Sequence, residues 1–520
     1  MKIRIKQNLP ILLLALMIAF LSAYMVYWGT QKNGFMMDEM YSLMDIRGGG
    51  LIRAHFTEGF LNTWHDASEL ESTIVLPEEN AFSYTIRHTT NLFFLLLHTA
   101  YSFQPGVFSI WPAMVLNIIT YIGALIVIYK LSMFFINDRY LALLPSFIWG
   151  ISSAAINLVV FIRFYMMLTF LCLVLTYLIF IAIKNGFKKW WHIAAILVIA
   201  IIGTFMHQYF FVYAFFISAL VCVYLLSIRA FKQLLKFLSP ILIGIMANQI
   251  ILQISLLRRL TYGRQGPAAI QSLLHGNTGY WDRIDRYLDI ICRAIFGDIN
   301  QYIIFAVCVI LIVIIVVAYT SSGEKLHELA KKQKTALWMI MGGSSVFCLM
   351  MIARIAPEQT YRYISYITPF TVILFVSLLV HALRAIGFKS IITVFAIITI
   401  PYSVLLMCNI YDVFIYKDQY STDKELSQYY DRPVVSINNI PQDIATNYYR
   451  FFKFENQILF TTTDSMDIDL IKEVPFDRGL ILLLPKRGEL IEPDEILGDL
   501  GLSAYTHMFD TSRHFLYYME

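Results

Sequence analysis

Two features stand side by side in residues 9–42, which read LPILLLALMIAFLSAYMVYWGTQKNGFMMDEMYS. The first is a charge-free apolar run from Leu9 to Trp28, and about 20 residues at roughly 1.5 Å each can cross a hydrocarbon core of about 30 Å. The second is the carboxylate pair Asp38 and Glu39, which follows shortly after that run. Acidic side chains so close to a membrane are costly unless a pocket uses them. This pair is therefore our first candidate for a functional site, and a solvated acidic turn is the alternative.

The composition is that of an integral membrane protein with many spans. Of the 520 residues, 58% are hydrophobic and only 15% are charged, and the mean hydropathy is +0.63. Soluble multidomain proteins do not have this composition. The net charge is +4, and no dense basic patch lies outside the apolar runs, so we expect no nucleic-acid partner. The cysteines show neither a disulfide framework nor the Cys/His spacing of a zinc site.

We predict an α-helical polytopic membrane protein with about 11 transmembrane helices. The spans are expected at about residues 9–28, 107–129, 140–157, 159–182, 190–206, 208–228, 237–257, 300–319, 335–353, 363–383 and 390–410. The loops that would share the side of the N-terminus are basic, which places that side in the cytoplasm. We expect a multi-pass protein of the plasma (inner) membrane, with a cytoplasmic N-terminus and an extracytoplasmic tail.

The chain is predicted to form two domains. Residues 1–411 form the transmembrane domain, which includes an outer loop at 29–106 and another at 258–299. Residues 412–520 form a small extracytoplasmic α/β domain, with strand-like runs at 433–437, 480–485 and 514–519 and a possible helix near 440–452. In the first outer loop, residues 51–64 have the apolar spacing of a short helix at the membrane interface. Residues 92–103 are apolar but too short to span, so we expect a re-entrant or interfacial piece there.

The outer loop at 258–299 is rich in arginine, against the usual preference for basic residues on the cytoplasmic side. Arg258 and Arg259 would stand where a span emerges, at the level of the lipid headgroups. A guanidinium presents a rigid fork of donors that matches phosphate oxygens. We therefore predict that Arg258, Arg259 and Arg264 bind a lipid-linked phosphate. Contacts with ordinary anionic headgroups and ion pairs with neighbouring aspartates are the alternative.

Other ionisable residues fall at or near the outer ends of predicted spans. They are Arg163, His207, Arg362 and, in the short apolar piece, His98. Such groups usually face a bundle interior or an aqueous cavity rather than lipid. A single histidine in a membrane is more often a hydrogen-bonded packing residue than a ligand. Several polar groups gathered at one end of a bundle would indicate a site.

Taken in order, several short motifs resemble those of polyprenyl-phosphate-sugar-dependent glycosyltransferases of the GT-C superfamily. The protein O-mannosyltransferase and lipid A aminoarabinose transferase branches are nearest in form. The motifs are the Asp38-Glu39 pair, the Leu/Phe-rich piece ending in His98, Arg163-Phe164-Tyr165-Met166-Met167-Leu168, His207-Gln208-Tyr209, and Arg362-Tyr363 with Pro369.

The chain departs from this family at two places. Thr90-Asn91 stands where many relatives have a Pro-Pro pair, and the Asp-x-Asp metal signature of the oligosaccharyltransferase branch is absent from the sequence. The branch and any metal therefore stay open. We predict no resident cofactor, and a divalent metal is an open alternative.

The resemblance implies an inverting glycosyl transfer on the extracytoplasmic face, from a polyprenyl-phosphate sugar to a hydroxyl of a lipid, glycan or protein. Asp38 would be the base, and Glu39 would orient the acceptor or pair with an arginine. Arg163 and Arg362 would join the loop arginines in holding the departing phosphate. The resemblance places these further residues in the substrate pocket: Tyr41, His98, Tyr165, His207, Tyr209 and Tyr363.

Two other classes of function remain in competition. A lipid or polysaccharide transporter or flippase would show inverted repeats and ionisable residues near mid-span, and the sequence shows no evident repeat. A membrane polysaccharide polymerase or O-acyltransferase would keep outer-face chemistry but change the reaction. An acyltransferase needs a nucleophile or a histidine base with its own motif, and we find none that is clear.

Overall fold

A computed structural model of the chain describes residues 2–32, 34–36, 38–39, 42–43, 59–61, 92–103, 109–251, 271–272, 279–321, 333–388, 390–410, 414–437, 453–454, 456–460, 468–473, 475, 477–486, 492–510 and 514–520. The chain divides into two compact units. The helical unit consists of Met1–Tyr27, Thr90–Phe93 and Asn117–Phe414. The sheet unit consists of Trp28–Thr89, Phe94–Leu116 and Ile415–Glu520.

Long helices dominate the chain up to Asn409. They are, in order, α1 (Lys2–Thr30), α2 (Leu92–Tyr101), α3 (Trp111–Phe135), α4 (Leu143–Ile151), α5 (Ser153–Val160), α6 (Tyr165–Lys184), α7 (Trp190–Met206), α8 (Gln208–Ser227), α9 (Phe231–Ile251), α10 (Tyr280–Phe296), α11 (Gln301–Ser321), α12 (Gln333–Ile355), α13 (Thr368–Ala385) and α14 (Ile391–Asn409). Two short 3₁₀ turns, Tyr361–Tyr363 and Ser365–Ile367, precede α13.

The predicted polytopic helical class is confirmed, and every predicted span overlaps a helix. Within the described residues, seven helices are long and apolar enough to cross a membrane, and α4 with α5 makes an eighth if this pair, bent by 61°, is one span. The structure therefore does not confirm 11 spans. The described apolar parts of α7 and α14 have only 10–17 residues, and α9 is not among the helices that are long and apolar enough to cross a membrane. The orientation of the termini stays a prediction.

Buried hydrogen bonds join distant helices of the helical unit. The Trp149 indole N–H of α4 donates to Thr368 Oγ1 of α13 over 3.1 Å. The Tyr402 hydroxyl of α14 lies 3.0 Å from the Ile148 carbonyl oxygen and 2.7 Å from that of Ile295. A buried polar group needs such a partner, so these side chains fix the helices in one arrangement.

The sheet unit contains one mixed six-stranded sheet. Its elements are β1 (Gly59–Leu61), α15 (Lys417–Leu426), β2 (Pro433–Ile437), β3 (Asn456–Phe460), α16 (Ile468–Lys472), β4 (Leu480–Pro485), α17 (Pro493–Leu500), β5 (Tyr505–Asp510) and β6 (His514–Met519). The spatial order is β1-β3-β2-β4-β6-β5. The strands β3, β2 and β4 are parallel, and the other pairs are antiparallel.

Both faces of this sheet are covered, and its central strand β4 is apolar throughout. Leu480, Leu482 and Leu484 of β4 point into one core, which also includes Ile496 and Leu500 of α17. The alternate residues of β4, Ile481 and Leu483, point into a second core with Leu426 of α15. A parallel strand buried on both faces has this continuous run of aliphatic residues. The three tail strands that the sequence predicts are confirmed.

One sequence-based expectation in the first outer loop is wrong. The apolar spacing of residues 51–64 predicts an interfacial helix, but Gly59–Leu61 is a β-strand that pairs with β3. The pairing partner comes from the far end of the chain, and such non-local pairing overrides local periodicity. The rest of that segment, like the possible helix at 440–452, lies outside the described residues. The short helix expected at 92–103 is present as α2.

Candidate functional site

The acidic turn, by which we mean Asp38 and Glu39 with Phe35 and Met36, follows α1 in the sheet unit. The Met36 N–H donates to Glu39 Oε2 over 2.7 Å, and the Glu39 N–H donates back to the Met36 carbonyl over 2.9 Å. This reciprocal pair resembles the bonding of a helix capping box. The Ser42 hydroxyl donates to the Asp38 carbonyl oxygen over 3.2 Å. The backbone on both sides of Asp38 is thereby fixed.

Glu39 forms a buried ion pair with Lys32. The Lys32 Nζ atom lies 2.7 Å from Glu39 Oε1, and both side chains are fully buried. The ammonium also lies 3.6 Å from the ring centroid of Tyr416 and 5.0 Å from that of Phe35. A cation over an aromatic face is stabilised by the ring quadrupole. The observed partner of Glu39 is therefore a lysine, where the sequence suggested an arginine.

Burial controls the ionisation of the groups around this pair. It lowers the pKa of Lys32 to about 8, although the negative charge of Glu39 opposes the shift. It also raises the pKa of the Tyr101 and Tyr416 hydroxyls, and the nearby charge of Glu39 adds to both effects. Asp38, by contrast, is only partly buried. The two adjacent carboxylates thus have different environments, one enclosed with its counter-ion and one reachable by solvent.

Further predicted site residues are Tyr41, His98 and three arginines. Tyr41, Arg258, Arg259 and Arg264 lie outside the described residues. His98 lies on α2 of the sheet unit, is 4% exposed, and its carbonyl oxygen accepts a hydrogen bond from the Ser102 hydroxyl. The roles assigned to these residues stay predictions.

Six predicted site residues come together at one end of the helical unit, and we call this group the aromatic cluster. They are Arg163, Tyr165, His207, Tyr209, Arg362 and Tyr363. Arg163 precedes α6, His207 separates α7 from α8, and Arg362 lies in the 3₁₀ turn before α13. Because each residue stands at a helix end, the packing of the helices gathers side chains that are far apart in sequence.

Ring contacts connect one half of the aromatic cluster. The Arg163 guanidinium lies 5.1 Å from the Phe164 ring centroid. Phe164 stacks on the His207 imidazole, with centroids 4.1 Å apart and planes inclined by 22°. His207 meets Tyr209 edge to face at 4.8 Å. These contacts hold the cation and the imidazole against the same aromatic surface.

Tyr209 also connects the other half of the aromatic cluster, which contains Arg362 and Tyr363. Tyr209 meets Tyr363 edge to face at 5.6 Å. The Arg362 guanidinium lies 4.9 Å from the Tyr363 ring centroid and donates to the Tyr363 hydroxyl over 3.1 Å. Arg362 also pairs with Glu358 at 3.1 Å, but the Glu358 side chain is 65% exposed. An ion pair with so exposed a partner contributes little to stability.

The junction between α7 and α8 fixes the protonation pattern of His207. Its Nδ1 atom accepts a hydrogen bond from the Tyr209 N–H over 3.2 Å and so caps α8. A neutral imidazole that accepts at Nδ1 carries its proton on Nε2, so Nε2 is a donor. The junction is tight at Gly203, where a Cβ atom would lie 2.3 Å from the Phe210 ring. Glycine is required there for this close approach.

Two buried supports hold the backbone on which the cluster arginines stand. The Asn117 side-chain amide of α3 donates to the carbonyl oxygens of Val159 and Phe161, over 2.9 and 3.0 Å, just before Arg163. The Tyr287 hydroxyl of α10 donates to the Glu358 carbonyl over 2.9 Å, just before Arg362. These contacts pre-organise the cluster before any ligand arrives.

Sequence reasoning missed Lys32, Tyr416, Tyr287 and Glu358. Lys32 could have been proposed as the partner of Glu39 from the sequence, because it is a basic residue beyond the first span and seven positions before Glu39. Glu358 could likewise have been proposed as the partner of Arg362, because it precedes Arg362 by four residues. Tyr416 and Tyr287 carry no comparable signal, because each comes from a distant part of the chain.

The two groups of residues have complementary chemistry. The aromatic cluster offers two guanidiniums, a neutral imidazole donor and several phenol rings, which suits an anion attached to an apolar or sugar group. The acidic turn offers a partly exposed carboxylate beside a neutralised one. Within the described ranges, no three His, Cys, Asp or Glu side chains come together in a way that could hold a metal ion.

Comparisons with known proteins find little similarity in sequence. No protein family model matches the chain, and no curated protein matches it. Among solved structures, ArnT from Cupriavidus metallidurans bound to undecaprenyl phosphate is similar over 97% of this chain and 97% of its own, with 8% identity and a TM-score of 0.33. A likeness at this level assigns no activity, and the roles of the residues follow from their own chemistry.

Proposed function

We propose that this protein is a membrane glycosyltransferase that moves a sugar from a polyprenyl-phosphate donor to an acceptor hydroxyl on the extracytoplasmic face, with inversion. The observation that carries the proposal is the convergence of the aromatic cluster. Its residues belong to three separate sequence stretches that resemble GT-C motifs, and the fold gathers them at one end of a helical bundle. A chance set of span-end residues would be scattered over several ends.

Arg163 and Arg362 suit the donor phosphate. The donor carries its own leaving group, so the protein must stabilise the negative charge that grows on the phosphate as the bond to the sugar breaks. Both guanidiniums are only partly buried and lie against aromatic rings. A guanidinium in such a setting is weakly hydrated, which strengthens its bond to a phosphate oxygen. The Nε2 donor of His207 adds to the same environment.

Asp38 suits the role of general base. Its carboxylate would take the proton of the acceptor hydroxyl while the acceptor oxygen forms a bond to the anomeric carbon and the carbon–phosphate oxygen bond breaks. The phosphate leaves with the electron pair of that bond. A single displacement of this kind inverts the anomeric centre.

Glu39 and Lys32 act on Asp38 through the backbone. Their ion pair neutralises both charges inside the protein, and the second oxygen of Glu39 holds the Met36 N–H. Glu39 is therefore a positioning residue in this proposal, because a fully buried carboxylate with a lysine partner is a poor base for an incoming hydroxyl.

The direct test incubates the purified protein with a panel of polyprenyl-phosphate sugars and measures released polyprenyl phosphate and transferred sugar. We expect release with one donor class and loss of release in the Asp38→Asn variant. If no donor is consumed but the protein moves lipid-linked sugars between the leaflets of proteoliposomes, the flippase alternative holds instead.

A further inference from the structure

An open apolar groove lies at the opposite end of the helical unit from the aromatic cluster. Its volume is about 440 Å³. Three helices and the end of α3 form it, with these lining residues: Phe135; Ile312, Ile315 and Val316 of α11; Lys334, Thr335 and Trp338 of α12; and Ser377, Leu378 and His381 of α13. Apart from Leu311, the described side chains of α11 are not fully buried, so this helix presents apolar surface to the surroundings.

Cations collect where this groove ends. Lys334 lies in the groove wall and interacts electrostatically with Lys184. His381 of the same wall interacts with Lys334 and with Arg384. The Lys334 ammonium donates to Asn137 Oδ1 over 2.5 Å, and this partner is neutral.

Among the described residues, Asp138 is the carboxylate that pairs with a cation at this end. Arg384 pairs with Asp138 at 3.2 Å. Asp138 is also occupied by the backbone, because its Oδ1 atom accepts from the N–H groups of Tyr140 and Leu141. In the part of the chain that the structure describes, neither Lys184 nor Lys334 has a carboxylate within salt-bridge distance. An apolar slot with cations at its end matches a ligand with an acyl tail and an anionic head.

We propose that this groove binds one anionic phospholipid, with its acyl chain along α11 and its phosphate at Lys334 and Lys184. The groove is separate from the glycosyl-transfer site. Helix α6 runs from Tyr165, in the aromatic cluster, to Lys184, and its 20 residues span roughly 30 Å. One phosphate group cannot reach both ends. The lipid at this groove is therefore a structural partner of the bundle, and its binding does not depend on the proposed activity.

The proposal is tested by native mass spectrometry of the full-length protein, purified in detergent, delipidated and titrated with phosphatidylglycerol or phosphatidylcholine. We expect one phosphatidylglycerol to bind more tightly than phosphatidylcholine. Lys334→Gln should weaken phosphatidylglycerol binding about fivefold, the effect of one basic residue near an anionic headgroup, and Lys334→Arg should restore it. Lys232→Gln, at an exposed position of α9, is the matched control and should change nothing.

A second variant separates a lipid site from a simple anion site. Leu378→Trp fills the apolar slot without touching the charges, so it should reduce phosphatidylglycerol binding while Lys334 is still present. Equal binding of the two lipids, or full binding in both Lys334→Gln and Leu378→Trp, would overturn the proposal. It would also be overturned if inorganic phosphate displaced the lipid at equal concentration, since the apolar groove would then add nothing.

Discussion

The acidic turn and the aromatic cluster hold their charges in opposite ways. At the acidic turn, Glu39 and its partner Lys32 are fully buried and form an ion pair. In the aromatic cluster, Arg362 has a partner that is 65% exposed, and its own side chain is 24% exposed. A buried pair couples strongly to folding, whereas an exposed pair contributes little to stability. Substitutions in the first region should therefore change stability, and those in the second should change affinity.

Asp38 should be the exception in the acidic turn, because we propose it as the general base. Its substitution should change turnover rather than stability. Asp38→Asn keeps the volume and removes the basicity, so we expect a loss of roughly 10²-fold to 10⁴-fold in turnover with little change in melting temperature. Glu39→Gln should do the reverse and mainly lower the melting temperature. The measurement is turnover and thermal unfolding of both variants side by side. An active Asp38→Asn enzyme would remove the base from the mechanism.

The buried pair itself gives the largest expected effect on stability. Lys32→Met leaves Glu39 as an uncompensated buried charge, which should cost about 3 to 5 kcal/mol of unfolding free energy. The double variant Lys32→Met with Glu39→Leu removes both charges and should recover most of that loss. Denaturant unfolding of Lys32→Met, Glu39→Leu and the double variant measures the coupling. Additive losses would mean that the two residues act separately.

The lowered pKa of Lys32 predicts that the unfolding free energy depends on pH. Between pH 8 and 10.5, the unfolded chain holds a proton on Lys32 that the folded protein has released. The unfolding free energy therefore rises with pH in that window, by at most about 1.4 kcal/mol per pH unit. The difference between wild type and Lys32→Met isolates this contribution and should grow across the window. A difference that shrinks would mean that attraction to Glu39 outweighs burial.

In the aromatic cluster, the expected losses appear in donor binding. Arg163→Gln and Arg362→Gln each remove a charged hydrogen-bond donor, so each should weaken binding of a polyprenyl-phosphate sugar by about 10-fold to 100-fold. Arg286→Gln, at an exposed position of α10, is the control and should bind normally. Donor binding by fluorescence or calorimetry is the measurement. Unchanged affinity in both variants would leave the phosphate to residues 258–264.

The smallest effect is expected at Glu358. Glu358→Gln removes the exposed partner of Arg362 and should change the unfolding free energy by less than about 1 kcal/mol. Donor affinity should hold or rise slightly, because the guanidinium loses a competing carboxylate. A stability loss as large as that of Lys32→Met would show that the two regions do not differ as argued above.

Much of this architecture is readable from the sequence, and the exceptions have physical causes. The span helices follow from long apolar runs, and His207 and Arg362 follow from polar residues at the ends of such runs. The strand Gly59–Leu61 was missed because its partner, β3, lies in the tail. The ring of Tyr416 over Lys32 was missed for the same reason, since nothing local to either residue specifies the contact. Local patterns therefore predict elements and helix-end residues, but not pairings across the length of the chain.

The strand β1 also constrains how the protein is made. It pairs in register with Gln457–Leu459, roughly 400 residues later in the chain. The ring of Tyr416, which covers the Lys32 ammonium, is also synthesised late. At translation rates of about 5 to 20 residues per second, these N-terminal segments stay without their partners for roughly 20 to 80 seconds. An unpaired strand, and an ion pair not yet covered by the Tyr416 ring, are open to wrong contacts during that time. We therefore expect the segment around β1 to reach its native pairing only after the last part of the chain has been synthesised.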